Sequence, residues 1–181
     1  MAEIVIIGAG RLGTAIGRAL AGKGHKIRAL TCRHLKSAAE SRAIIGQGRA
    51  MTDNAAAARM GTIILICLPD EEIPPIASRL ALSRVDWTGK TVFHTSGLLP
   101  SRVLEPLKKK GALIASLHPV QAFPSQKTRP SHFRGITFGL EGDQKALALG
   151  RGLVRQLGGR AVVIPEDAKP LYHAAFSFAS N

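Results

Sequence analysis

Two rhythms of apolar and polar positions alternate along the first 120 residues. Glu3 to Ile7 is a short, nearly continuous apolar run, the pattern of a strand buried on both faces of a parallel sheet. Leu12, Ile16, Ala19 and Leu20 then recur at helical spacing until Gly22 and Gly24 stop the helix. The pattern next predicts a strand over Lys26 to Thr31, a helix over Leu35 to Ile45 closed by Gly46, and a brief strand over Arg49 to Thr52. Asp53-Asn54 caps a short Ala-rich helix after it. Thr62 to Leu68 is the clearest strand. A helix from about Glu71 to Leu82 follows, in which Pro74 and Pro75 fit only in the first turn.

Thr91 to His94 reads as a strand, Pro100 to Lys110 as a helix and Leu113 to Leu117 as another strand. Gln121 to Arg134 is polar, proline-containing and aperiodic, so it reads as a loop. Ile136 to Glu141, Gln144 to Leu157 and Ala161 to Ile164 add a strand, a helix and a strand. This alternation predicts an α/β fold, a Rossmann-type doubly wound, mostly parallel sheet with helices on both faces.

The turn between the first strand and helix is Gly8-Ala9-Gly10-Arg11-Leu12-Gly13. A GxGxxG motif is weak alone, but here a strand precedes it, a helix follows and a second strand arrives on schedule. Gly8 permits the tight turn, Gly10 lets the backbone approach a pyrophosphate, and Gly13 lets helix and strand pack closely. The helix N-terminus, at Arg11, Leu12 and Gly13, offers N–H groups and a positive dipole end to phosphates. Arg11 has two readings, against the pyrophosphate or in solvent. NAD sites place an acid at the end of the second strand, but here the segment is Thr31-Cys32-Arg33-His34. An arginine there suits a 2′-phosphate, with Thr31 and Lys36 assisting, so NADP(H) is expected over NAD(H). Arg33 as a mere surface residue is the other reading. Leu68, Pro69 and Thr95, at later strand ends, are expected along the cofactor's path.

Composition changes this picture little. Of 181 residues, 45% are apolar and 20% charged, a globular balance. No apolar run reaches the ~18 residues of a membrane span. Met1-Ala2-Glu3 leads straight into a strand and lacks a signal-peptide layout. Cys32 and Cys67 are far apart with no ligand cluster nearby, so no metal site or disulfide framework is expected, and the cytoplasm is the expected compartment. The net charge of +13 asks for an anionic partner. Nucleic acid is not expected, because one Trp and one Tyr provide no stacking platform and no dense basic stripe exists. Lys108-Lys109-Lys110 before Gly111 complements a helix C-terminus.

Two further strand ends carry chemistry: His94-Thr95-Ser96-Gly97 and Ser116-Leu117-His118-Pro119. A strand-end histidine can exchange a proton near neutral pH, as carbonyl or imine reduction requires. His94 reads either as a satisfied structural histidine or as a substrate-side group. His118, followed by Pro119 and a long polar loop, is the proton-donor candidate, with a serine of the neighbouring strand, Ser96, to orient it or hold a substrate oxygen.

The runs VIIGAGRLGTAI, HTSGLLP, SLHPVQAF, LEGD, LGG and YHAAFSFASN resemble a bacterial family of uncharacterised proteins that pair a Rossmann-like domain with a helical domain of unknown function. The resemblance covers essentially the whole chain. That family looks like a relative of pyrroline-5-carboxylate reductase, prephenate dehydrogenase and deazaflavin-dependent NADP oxidoreductases. It implies an oxidoreductase acting on a small carbonyl, imine or hydroxy compound, with Ser96 and His118 on the substrate side as catalytic candidates. A non-catalytic dinucleotide-binding or regulatory protein is the alternative. The related β-hydroxyacid dehydrogenases place a lysine four residues before an asparagine on the helix entering the second domain. Here Ser177 stands four before Asn181, so that lysine is not matched. His173, four further back, shares the helical face, which makes Tyr172-His173 and Asn181 substrate-side candidates. Residues 1–165 are expected as the dinucleotide-binding domain and 166–181 as the start of a helical domain. By resemblance that domain continues for about another hundred residues, forms a homodimer and closes the site, so this chain is expected to end where it begins.

Overall fold

The computed structural model describes residues 1–179, with side chains through residue 175. Asn181 therefore lies outside the described residues. Eight strands form one sheet: β1 (Glu3–Ile7), β2 (Lys26–Thr31), β3 (Arg49–Met51), β4 (Ile63–Ile66), β5 (Thr91–His94), β6 (Leu113–Pro119), β7 (Thr137–Gly142) and β8 (Arg160–Val163). Their order across the sheet is β3-β2-β1-β4-β5-β6-β7-β8. The first six run parallel, as expected of a doubly wound fold, and β7 joins β6 antiparallel with β8 parallel to β7. Strand order reverses at β1, whose neighbours are β2 on one side and β4 on the other. The crevice at its carboxyl end is where open α/β sheets bind ligands.

Burial follows from the sequence. All of β4 and β5 and the last four residues of β1 are buried, so their apolar runs face helices on both sides. One face packs Ile4, Ile6, Leu65 and Phe93 against α1 (Arg11–Ala21), α2 (Leu35–Ile45) and α6 (Gln144–Leu157). The other packs Val5, Ile7, Ile64 and Val92 against α3 (Asn54–Ala58), α4 (Ile73–Ala81) and α5 (Glu105–Lys108). Among the described residues, no helix is long and apolar enough to cross a membrane.

Some elements depart from the pattern-based expectation, three of them near the site. The helix expected from Glu71 begins as a 3-10 turn at Asp70–Glu72 and becomes α4 at Ile73, with Pro74 and Pro75 in its first turn. The helix expected over Pro100 to Lys110 is a 3-10 turn, Ser101–Leu104, followed by the single turn α5, because Pro106 lacks the N–H that would join the two into one helix. β6 runs two residues beyond Leu117, since β7 pairs with it as far as Pro119↔Phe138. His118 therefore sits inside a strand, opposite Gly139. After β8, a 3-10 turn at Glu166–Ala168 leads into α7 (Lys169–Ala179).

Candidate active site

The glycine loop is held from behind. Gly8 and Ala9 N–H groups both donate to the Thr31 carbonyl at the end of β2. The Ala9 carbonyl accepts from Thr14 Oγ1 (3.0 Å), Ser41 Oγ (2.7 Å) and Gln126 Nε2 (3.4 Å). Gln126 belongs to the polar segment after β6, so part of that loop braces the glycine turn. Gly8 has φ +89°, and a side chain on it would run into the Cys67 carbonyl. A side chain on Gly13 would strike the Gly8 carbonyl, which is the close helix–strand approach the motif predicts. At Gly10 the corresponding space is open. It faces a cavity of about 670 Å³ lined by Gly8, Gly10, Thr31, Arg33, Leu68 and Pro69 among others. No side chain caps α1, and its first turn holds no acid. A concave space, bare backbone and an unneutralised dipole end are what a dinucleotide phosphate requires, so the residues present fit that cofactor.

Six of the ten predicted cofactor residues line this cavity, while Arg11, Leu12, Gly13 and Thr95 do not. Arg11 is exposed. Thr31 is 1% exposed and its hydroxyl is spent on Asn54 Oδ1 at 2.5 Å, so it shapes the wall. Arg33 is open to solvent and lies 3.7 Å from Glu72.

The second cluster forms where β5, β6, β7 and α7 meet. His94 is fully buried. Its Nδ1 accepts from the Ser96 N–H (3.2 Å) and its Nε2 faces the Pro100 carbonyl (3.3 Å), so the proton is on Nε2 and the ring is neutral. Burial, with the nearby Lys169 charge, pushes its pKa down to about 3. Both ring nitrogens of His94 thus have backbone partners in the turn after β5. Ser96 Oγ accepts from the Leu98 and Leu99 N–H groups and closes that turn.

His118 is half-buried, and its Nδ1 lies 3.0 Å from Tyr172 Oη. Burial first, then the charge of Lys169, lowers its pKa to about 4. Its ring stands 6.5 Å from that of His173, centroid to centroid. Gly97 makes room for both, since a Cβ there would come within 2.9 Å of each imidazole. Gly139 likewise leaves the space that Tyr172 occupies.

Lys169, the first residue of α7, was not anticipated. It is 2% exposed, and its Nζ donates to Ser116 Oγ (2.8 Å) and to the Ser96 carbonyl (3.3 Å). Burial lowers its pKa to about 8, against the opposing pull of Glu141 and Asp70. Glu141, also buried, spends its two oxygens on the N–H and hydroxyl of Ser101 (2.6 Å each). A signal for Lys169 was present: it precedes His173 by four, one more step in the helical series that links Asn181, Ser177 and His173.

Residues 2–119 match the model of the Rossmann-like domain family, and residues 136–181 match a domain of unknown function, DUF2520. Among curated proteins, none matches the sequence. Among solved structures, a Bacteroides fragilis protein provisionally described as an NADP oxidoreductase superposes with a TM-score of 0.83 at 23% identity, over 98% of this chain and 66% of that one. A Thermotoga maritima protein gives 0.75 at 27% identity, over 98% and 63%. Prephenate dehydrogenase from Aquifex aeolicus, in complex with hydroxyphenyl propionate and NAD+, gives 0.76 at 17% identity, over 93% and 62%. The chain therefore spans less than two thirds of the length of each of these three.

Proposed function

We propose, from the premise that this chain belongs to the Rossmann-like domain family, that it is the cofactor-binding part of an NADP(H)-dependent oxidoreductase acting on a small carbonyl, imine or hydroxy compound. The observation that carries this reading is the continuity of the glycine-loop cavity with the β4 strand end at Leu68-Pro69, one strand from the Lys169–Ser116–His118 cluster beyond β5. A family of superposable folds that includes a provisional NADP oxidoreductase and an NAD+-bound dehydrogenase agrees with it.

A nicotinamide dinucleotide, when bound, would supply or accept hydride, and residues of this chain would hold it and manage a proton. Gly8 and Gly10 admit the pyrophosphate to the α1 N-terminus, and Arg33 takes a 2′-phosphate through its guanidinium fork. Hydride transfer to a carbonyl or imine carbon leaves its oxygen or nitrogen in need of a proton. Near neutral pH, His118 is neutral and offers one ring N–H or lone pair, with Tyr172 Oη fixing its orientation. Lys169 holds a proton at the same pH, one hydrogen bond behind Ser116. His118 is then a neutral hydrogen-bonding partner of the substrate, and Lys169 the local proton store. In this reading the proton-donor role expected of His118 becomes that of a neutral partner near neutral pH. Ser96 contributes through its backbone carbonyl, which holds Lys169.

The test is a titration of the chain with NADPH and NADH, followed by cofactor fluorescence, with Arg33→Ala beside it. Binding of NADPH, weakened about tenfold or more in Arg33→Ala with a smaller effect on NADH, is expected from loss of a charge-assisted pair. No binding of either nucleotide would overturn the reading.

A further inference from the structure

The cofactor cleft contains a carboxylate that the sequence motif lacks. At the end of β2, where an acid would accept the ribose hydroxyls of NAD, the chain has Arg33. Glu72 reaches the same place from the opposite wall, in the 3-10 turn between β4 and α4. Its Oε1 lies 3.7 Å from Arg33 Nη2, and both residues line the cavity together with His34, Ser37 and Arg79. The Arg33 side chain is 84% exposed and that of Glu72 36%. A pair this open is held weakly, and an arriving ligand can rearrange it.

We propose that Glu72 sets the cofactor preference: its carboxylate accepts from the ribose hydroxyls of the unphosphorylated dinucleotide and competes with a 2′-phosphate for Arg33, leaving only a narrow preference for NADP(H). The inference rests on the dinucleotide reading and deepens it. A 2′-phosphate carries close to two negative charges, and beside Arg33 it also approaches Glu72. To pair with the phosphate, Arg33 must give up its carboxylate partner, and two like-charged groups then share a cleft only partly screened by water. A ribose hydroxyl donates to Glu72 and leaves the Arg33 contact in place. Arg79 on α4 and His34 next to Arg33 are the other basic groups of the cavity wall. Their presence keeps phosphate binding possible, so Glu72 narrows discrimination without reversing it.

The experiment compares NADPH and NADH binding by the unaltered chain, by Glu72→Gln and by Glu71→Gln at low ionic strength. Glu71 is the control, because it is exposed, removes the same formal charge and does not line the cavity. Glu72→Gln is expected to tighten NADPH about fivefold and weaken NADH, so that the ratio of dissociation constants moves about tenfold or more. Glu71→Gln is expected to leave that ratio alone. An unmoved ratio in Glu72→Gln, or an equal movement in Glu71→Gln, overturns the assignment while the dinucleotide reading stands. Failure of the unaltered chain to bind either nucleotide overturns both.

Discussion

Placing a lysine amine where water cannot reach it costs free energy, and no carboxylate lies within ion-pair distance of Lys169 among the described residues. The compensation is a serine hydroxyl, a carbonyl and the longer-range attraction of Glu141 and Asp70. The same charge bears on His118, two residues beyond Ser116 on the same face of β6. Replacing Lys169 with Met removes that charge at similar volume. The midpoint of the His118 imidazole resonance is expected to rise from about 4 toward the ordinary histidine range, by less than the full difference because burial is the larger cause. An unmoved midpoint in a folded Lys169→Met chain would show that the lysine charge does not govern this histidine. Such a residue is hard to see in a sequence. Its spacing from His173 marks the helical face, but only the packing of α7 over Ser96 and Ser116 shows that the amine is buried.

At the level of elements, the register between β1 and α1 decides whether the glycine loop can exist. Gly13 lies against the Gly8 carbonyl and 3.1 Å, in Cβ terms, from Ile6 Cγ2. Gly13→Ala must push α1 away from β1, which is expected to cost ~1–3 kcal/mol of stability and to weaken dinucleotide binding sharply. Gly22→Ala, at the far end of the same helix, meets nothing closer than 3.5 Å and is expected to leave binding unchanged. Thermal melts and nucleotide titrations of the two variants check this, and equal losses in both would contradict it. This loop was legible in the sequence because all its constraints are local: a strand, three glycines and a helix in consecutive order. The parallel alternation was legible for the same reason. The extension of β6 to Pro119 was not, because it depends on an antiparallel partner that arrives after a long loop. Glu72 was invisible for a related cause. It meets Arg33 only through the sheet, and a reading confined to the end of β2 sees an arginine and no acid.

For the molecule as a whole, the two neutral histidines tie stability to pH. Both have folded pKa values below the ordinary histidine range, about 3 for His94 and about 4 for His118. Below about pH 6.5 the unfolded chain binds these protons and the folded chain does not, so stability falls as pH drops from there toward 4. Thermal melts across that range are expected to show a falling Tm, with a shallower fall in His118→Gln. A Tm independent of pH between those limits would mean that neither ring is held neutral. On the same scale, the two clusters lie along one edge of the sheet, the glycine-loop cavity at the β1/β4 reversal and the Lys169 cluster beyond β5. The central claim is that a nicotinamide dinucleotide joins them. The most direct measurement is an amide chemical-shift map of the chain on addition of NADP+. The account predicts shifts at Gly8 to Gly13, at Arg33, at Leu68 and at Thr95 to Gly97, with saturation. Shifts confined to the exposed basic surface, or none at the glycine loop, would contradict it.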